Sequence, residues 1–250
     1  MKKIISLILV LTLCIFAFAA CSDDSTETTE KETLKMATNA AFPPYEFKEG
    51  ENFAGIDVEI AQAIAKELGM ELEIVDMEFD SIITSVNAGE VDFGMAGMTV
   101  TEDRLKEVDF SDSYATGVQS IIVKEGSAVK TPDDLAGKKI GVQLGTTGDI
   151  YSCDDFGEEN VTKFSKGADA ILALNGGEID AVIIDNEPAK AFVEANEGLA
   201  ILGTDYAVED YAIAIKKGNK DLLDKINGAL KTLTENGTID KIIAKYISAE

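Results

Sequence analysis

Asn87-Ala88-Gly89-Glu90-Val91-Asp92-Phe93 returns 88 residues further on as Asn175-Gly176-Gly177-Glu178-Ile179-Asp180-Ala181. Each copy follows an amphipathic segment of helical spacing and runs into a short apolar stretch, Val91 to Ala96 in the first and Ala181 to Asp185 in the second. A glycine closing a helix, then a tight turn, then an apolar run makes a helix-turn-strand unit. The same alternation continues on both sides. Leu34 to Thr38 reads as a strand, and Asp57 as the cap of a helix that carries Val58, Ile60, Ala61, Ile64, Ala65 and Leu68 and closes at Gly69. Glu71 to Val75 reads as a strand, Asp80 to Ala88 as a helix, and Lys139 to Gln143 opens a second, similar series. Strand alternating with helix predicts an α/β fold with largely parallel sheets. The repeat predicts two lobes, although helix-glycine-strand units resemble one another in any α/β protein. Its offset sets Gly97 opposite Asp185, both at the carboxyl ends of equivalent strands, where open α/β sheets bind ligands. Two such ends facing each other form an interlobe cleft.

Composition narrows what such a cleft does. The 250 residues carry 46 Asp and Glu against 22 Lys and Arg, a formal charge of −24. Nucleic-acid binding needs clustered Lys and Arg to neutralise phosphates, and this balance argues against it. The chain has no histidine, which removes Ser-His and Cys-His nucleophile pairs and the usual His-ligated zinc sites. Catalysis by carboxylate, Lys or Tyr stays open beside binding without chemistry. With 46% hydrophobic residues the chain has enough apolar material for a real core.

The N-terminus reads as a targeting segment. Lys2 and Lys3 precede an apolar run from Ile4 to Ala20, which ends in Phe18-Ala19-Ala20-Cys21; this is the profile of an export signal over residues 1–20. Residues 21–33 would follow as a lipidated Cys21 and a polar tether too poor in apolar groups to order itself. An uncleaved membrane anchor is the alternative, since about 17 apolar residues sit at the short limit of a span. Either way the body is expected outside the cytoplasm. Cys14 falls in the signal and Cys21 under the acyl chain, so Cys153 has no thiol partner in the mature chain.

Arg104 is the chain's one arginine; the other 21 basic residues are lysines. Lysine serves for solubility, whereas a planar guanidinium fork is what bidentate carboxylate recognition requires. The bland alternative is a surface arginine paired with nearby acids. Its surroundings, Ala96-Gly97-Met98-Thr99-Val100-Thr101-Glu102-Asp103-Arg104 followed by Val108-Asp109-Phe110-Ser111, resemble the signature of the polar amino-acid substrate-binding proteins of ABC importers. The resemblance runs over about residues 34 to 247. It includes Ala37-Thr38-Asn39-Ala40-Ala41-Phe42-Pro43-Pro44-Tyr45-Glu46-Phe47, Gly55-Ile56-Asp57-Val58, Gly141-Val142-Gln143-Leu144-Gly145-Thr146-Thr147 and Asp180-Ala181-Val182-Ile183-Ile184-Asp185.

That resemblance implies a two-lobed periplasmic-binding-protein-like fold, each lobe a mostly parallel sheet flanked by helices, with the ligand in the interlobe cleft. It implies that Arg104 clamps a ligand α-carboxylate, with Thr99 and the Gly97 and Thr99 amides completing its hydrogen bonds and Thr147 donating from the opposite lobe. Asp185, helped by the Gly97 carbonyl, would take the α-ammonium. Phe42 and Phe79 stand where the family encloses the ligand side chain, although both also read as ordinary core aromatics. Asn39 stands where binders of basic amino acids, and some glutamine binders, carry Asp, and Leu144 and Ile184 where glutamine binders often place Lys and His. A neutral amino acid is the expected ligand, its delivery to an ABC permease the expected function. No cofactor, no metal and no catalytic residue are expected, and a monomer tethered to the membrane through Cys21 is. One lobe would be residues 34–114 plus 212–250, the other 118–208, with hinge strands near 115–117 and 209–212.

Two further classes share the scaffold: dehydratases, for which Glu46 is the candidate carboxylate in principle, and sensory or adhesive lipoproteins without transport. Ser127-Ala128-Val129-Lys130 matches a bare Ser-x-x-Lys pattern without its companion motifs. Gly141, Gly145 and Gly148 lack the spacing and lysine of a phosphate loop, so Thr146 and Thr147 read as a helix start facing an anion. The pairs Asp154-Asp155 and Glu158-Glu159 lack calcium-loop order and read as solvated faces.

Overall fold

The computed structural model describes residues 32–203 and 206–247; the expected signal segment, Cys21 and all but the end of the tether lie outside them. The first half of the described chain runs β1 (Thr33–Thr38), β2 (Ala41–Phe42), β3 (Glu46–Glu49), β4 (Asn52–Ala54), α1 (Ile56–Glu67), β5 (Glu71–Asp76), α2 (Ile82–Ala88), β6 (Phe93–Gly94), α3 (Glu102–Glu107) and β7 (Val108–Phe110). Then follow β8 (Ala115–Lys124), β9 (Ile140–Gln143), α4 (Thr147–Phe156), β10 (Val161–Phe164), α5 (Gly167–Gly176), β11 (Ala181–Asp185), α6 (Asn186–Ala195), β12 (Leu199–Ile201) and β13 (Ala207–Tyr211). The chain closes with β14 (Ala214–Lys216), α7 (Lys220–Glu235) and α8 (Thr238–Tyr246).

Two larger sheets and a small antiparallel one, β2-β3-β4, organise these elements. The first has the order β5-β1-β6-β14-β7, the second β10-β9-β11-β8-β12 with β13 also paired to β8. The helix-connected strands are parallel as expected: β5, β1 and β6 in one sheet, β10, β9 and β11 in the other. Both sheets are nonetheless mixed. β14 runs antiparallel to β6 and β7, and β8 antiparallel to β11, β12 and β13. β8 and β14 each follow a passage from the other sheet with no helical crossover to reverse the chain, which is the condition for an antiparallel neighbour. The stretches expected as hinges pair with one another, Ala115 with Tyr211, Thr116 with Asp210 and Gly117 with Glu209.

The repeat has a structural meaning in each lobe. α2 and α5 end on left-handed glycines of nearly identical conformation, Gly89 (φ 76°, ψ 23°) and Gly177 (φ 76°, ψ 22°). Three residues later Asp92 and Asp180 each bind a residue near the start of a parallel strand, Lys35 inside β1 and Lys139 just before β9. Asp92 accepts from the Lys35 amide at 2.7 Å and Asp180 from the Lys139 amide at 2.9 Å, while their own amides donate back to Lys35 O and Lys139 O. The aspartate thus sets the register of the neighbouring strand, and the glycine permits the turn that brings it there.

Both faces of the first sheet are covered. Met36, Phe93 and Ile215 pack with Ile60 and Ile64 of α1 and Ile226 and Leu230 of α7, while Ala37 and Ala214 meet Ile82 and Val86 of α2 on the other side. In the second sheet Ile121, Ile140, Val142, Ala181 and Ile183 form one core layer. Asp57 departs from expectation. α1 starts after Gly55 without a side-chain cap, and Asp57 lies fully buried inside its first turn, turned toward the cleft.

Candidate functional site

The carboxyl ends of β6 and β11 meet at a pocket, and the eight residues expected at the site all line it: Asn39, Phe42, Phe79, Gly97, Thr99, Arg104, Thr147 and Asp185. Glu46, Ala96, Gln143 and Thr146 complete the wall. Leu144 and Ile184 do not belong to it; Leu144 is 38% exposed and Ile184 is buried in the core. Those two side chains therefore carry no information about the ligand's side chain.

Arg104 sits in the first turn of α3, where Thr101 caps the helix by accepting from its amide at 3.2 Å. The short helix aims the side chain inward, and only 7% of the residue is exposed. Its Nη1 donates to Thr99 O at 2.8 Å and its Nη2 reaches across the cleft to Gly145 O at 2.9 Å, while the guanidinium stacks 5.3 Å from the Phe79 ring centre. Among the described residues no carboxylate comes within ion-pair distance of it. Burial pushes its pKa down, opposed by the charges of Glu209 and Asp185. This is a cation held in place by carbonyls and an aromatic face, with its charge left for something else.

Asp185 ends β11 on the opposite lobe and is 6% exposed. Burial pushes its pKa up to about 7, with the nearby Glu209 charge adding to the rise and the hydroxyl of Tyr211, which donates to it, opposing. Gly97 has φ +53°, and a Cβ there would stand 3.1 Å from the Phe42 ring, so glycine is what lets the aromatic close over the backbone. The Gly97 amide, expected to meet a ligand carboxylate, donates instead to Asp57 Oδ2 at 2.7 Å. The Thr99 amide remains available in direction: in the bridge between Thr99 and Tyr211 the bonds run from Val100 N to Asp210 O and Ala212 N to Met98 O, flanking Thr99 rather than using it.

Thr146 caps α4 by accepting from the Asp149 amide at 3.3 Å, which presents the start of that helix to the pocket, with Thr147 as its first residue. The hydroxyls of Thr99 and Thr147 donate to Glu209 Oε2, at 3.2 and 3.0 Å. At another wall Asn39 donates to Met77 O at 2.7 Å and accepts from Gln143 Nε2 at 2.9 Å, an amide pair that spans the two lobes. Glu46 is fully buried beside Asp57; burial and that neighbouring charge hold its pKa well above the usual carboxylate range, so it keeps its proton. Burial pushes the pKa of Asp57 up to about 7, opposed by the Gly97 amide and Tyr114 Oη, from which it accepts at 2.7 and 2.8 Å.

Glu209, Gln119, Gln143 and Asp57 are functional candidates that the sequence did not single out as such, and Glu46 reads there only as a dehydratase carboxylate. Acids are too abundant in this chain for one more to stand out. In β13 the expected alternation is also inverted, with Val208 68% exposed and Glu209 buried.

A pocket enclosed between two α/β lobes, with bonds crossing from one wall to the other and opposite charges on the two sides, defines a two-lobed solute-binding protein. The chain belongs to the bacterial extracellular solute-binding proteins, family 3, whose family model matches residues 34–249. It is therefore an extracytoplasmic binding protein and not an enzyme. It is 36% identical over 252 residues to the arginine-binding extracellular protein ArtP of Bacillus subtilis, with 98% of each chain covered. With the L-cystine-binding protein TcyJ of Escherichia coli K12 it shares 31% over 226 residues, 88% of this chain and 85% of that one. Among solved structures, an ancestral arginine-binding protein bound to glutamine superposes with a TM-score of 0.84 at 43% identity, covering 88% of this chain and 99% of that one. The arginine-, lysine-, histidine-binding protein ArtJ of Geobacillus stearothermophilus does so at 0.83 and 35%, covering 88% and 96%.

Proposed function

We propose that this protein binds a free amino acid outside the cytoplasm and delivers it to an ABC importer. The observation that carries the reading is the opposition of Arg104 and Asp185 across one pocket: a buried cation without an anion on one lobe, a buried anion without a cation on the other. A zwitterion satisfies both at once, and only when the lobes are together. Binding and closure are then one equilibrium, because the closed form makes contacts that the open form lacks. Arginine, lysine, histidine, cystine and glutamine are the solutes named for the relatives above, and all are α-amino acids, which supports the class without choosing a member.

The side chain that fits is neutral and hydrogen-bonding. Asn39 and Gln143 offer amides, Phe42 and Phe79 offer apolar faces, and Glu46 keeps its proton, so that end of the pocket presents no free charge. The expected lipid anchor at Cys21 and a monomeric body complete the proposal.

The test is thermal shift of the compact unit that begins at Lys31 against the twenty amino acids and cystine, with Arg104→Ala alongside. A ligand at a hundred times its Kd stabilises the native state by about 2.7 kcal/mol, a readily seen shift. The expected result is a response to one or a few neutral amino acids that Arg104→Ala abolishes. Saturable arginine binding with no response to neutral amino acids overturns the side-chain assignment, and silence toward all of them overturns the function.

A further inference from the structure

Asp57 lies outside the pocket yet holds what builds it. It is fully buried in the first turn of α1, and one of its oxygens, Oδ2, accepts two hydrogen bonds, from the Gly97 amide at 2.7 Å and from Tyr114 Oη at 2.8 Å. Gly97 lines the pocket on the first lobe. Tyr114 immediately precedes β8, the strand that carries the chain into the second large sheet. One carboxylate oxygen thus joins the backbone of the pocket to the stretch expected as a hinge.

The path continues to the opposite wall. The Tyr114 amide donates to Tyr211 O at 3.0 Å, where β13 begins its pairing with β8, and the Tyr211 hydroxyl donates to Asp185. Gly97, Asp57, Tyr114, Tyr211 and Asp185 therefore form a connected path that starts on one lobe, passes behind the pocket and ends on the other. The far side of Asp57 is supported as well. Its Oδ1 and both Glu46 oxygens are buried without a hydrogen-bond partner among the described residues, and the two carboxyls are neighbours. The proton that Glu46 keeps is the group at hand to join them, since a protonated carboxyl donates one bond and a carboxylate accepts it. Glu46 then steadies Asp57 from behind without competing for Oδ2.

We propose that Asp57 is a positioning residue for ligand binding: through Tyr114 and Tyr211 it holds Gly97 on one wall of the pocket in register with Asp185 on the other, touching no ligand itself. The inference rests on the amino-acid reading above and adds to it a requirement that lies behind the cleft. A break in the path lets one wall shift against the other and weakens binding although every side chain that lines the pocket is still present.

In the test, the full chain purified in detergent is screened by thermal shift against the twenty amino acids and cystine. Those that shift the parent are titrated calorimetrically into the parent, Asp57→Ala, Asp57→Asn, Tyr114→Phe and Asp57→Ala/Tyr114→Phe. Asp57→Ala strands the Gly97 amide and the Tyr114 hydroxyl together, and is expected to lose roughly ten- to hundredfold in affinity, the size of hydrogen bonds to a charged group. Asp57→Asn is expected to recover most of that loss, because an amide oxygen in the place of Oδ2 accepts both donors and the amide nitrogen can donate to Glu46. Tyr114→Phe cuts the path while Gly97 stays held, and is expected to lose about three- to tenfold; in the Asp57→Ala background it is expected to cost nothing further. If Asp57→Ala does not fold, Tyr114→Phe decides alone. Unchanged affinity in Tyr114→Phe, with or without a lower melting temperature of the empty protein, overturns the proposal. So does an additive loss in the double variant, or binding by Asp57→Asn as weak as by Asp57→Ala. Silence of the parent toward every amino acid is a different result and sinks the amino-acid reading itself.

Discussion

Asp185 shows what a binding site demands of a single residue. Its pKa is raised by burial to about 7 in the closed cleft, against an unfolded value near 3.8. A carboxyl whose folded pKa is raised binds its proton more tightly when folded, so its contribution to stability declines as pH rises through the window from about 4 to about 7 and is lowest above it. Asp185→Asn removes that cost along with the proposed ammonium site. Because the cost belongs to the closed cleft, the variant is expected to close more readily than the parent above pH 7 and to lose amino-acid binding at pH 4.5 and pH 8 alike. Melting curves of the empty parent and variant that diverge as pH rises from 4.5 to 8 would mean that the cleft is closed without ligand. Arg104 and Asp185 were legible in the sequence because one is a unique residue type and the other ends an apolar strand. Glu209 was not, because burial of an acid beside an outward-facing valine reverses the pattern by which an edge strand is read. Asp57 was misassigned for a related reason: an acid at a helix start looks like a cap, and only the fold shows it turned inward to hold Gly97 and Tyr114.

At the level of elements, the pairing of β8 with β13 carries the site. Gly117 faces Glu209 across this ladder, and a Cβ added at Gly117 would stand 2.2 Å from the Tyr211 ring. Tyr211 is fully buried and donates to Asp185, so the glycine makes room for the ring that orients the anion. Gly117→Ala is expected to destabilise the protein by about 1–3 kcal/mol through overpacking and to weaken amino-acid binding as the ring shifts away from Asp185. Denaturant unfolding with a binding titration checks it; lost stability with unchanged affinity would show that Tyr211 does not orient Asp185. The parallel strands were predictable because helix, glycine and strand recur with the Asp92 and Asp180 contacts that set their neighbours. What could not be read was the antiparallel half of each sheet. β8, β13 and β14 owe their partners to where the chain crosses between lobes, which is a long-range fact with no local signature.

For the whole molecule, the decisive quantity is the balance between open and closed forms of the empty protein. Among the described residues direct bonds across the cleft are few: Arg104 to Gly145, Gln143 to Asn39, and Thr99 and Thr147 through Glu209. Each is worth about 1 kcal/mol net, or about 2 where a charge takes part. Against them, closing without ligand removes water from Arg104, Asp185 and Glu209, none of which has a counter-ion within ion-pair distance among the described residues, and such desolvation costs several kcal/mol per ion. The empty protein is therefore expected to rest open, with the lobes turning about the paired stretches at 115–117 and 209–211 and the chain passages beside them. A zwitterion reverses the balance by supplying a counter-charge to each lobe. Small-angle scattering should show a larger radius of gyration without ligand than with the amino acid identified by thermal shift, and no ligand-dependent change in Arg104→Ala. Equal radii with and without ligand in the parent would mean that the cross-cleft bonds alone hold it shut. Recognition would then have to proceed by transient opening, with an association rate far below that of an open cleft.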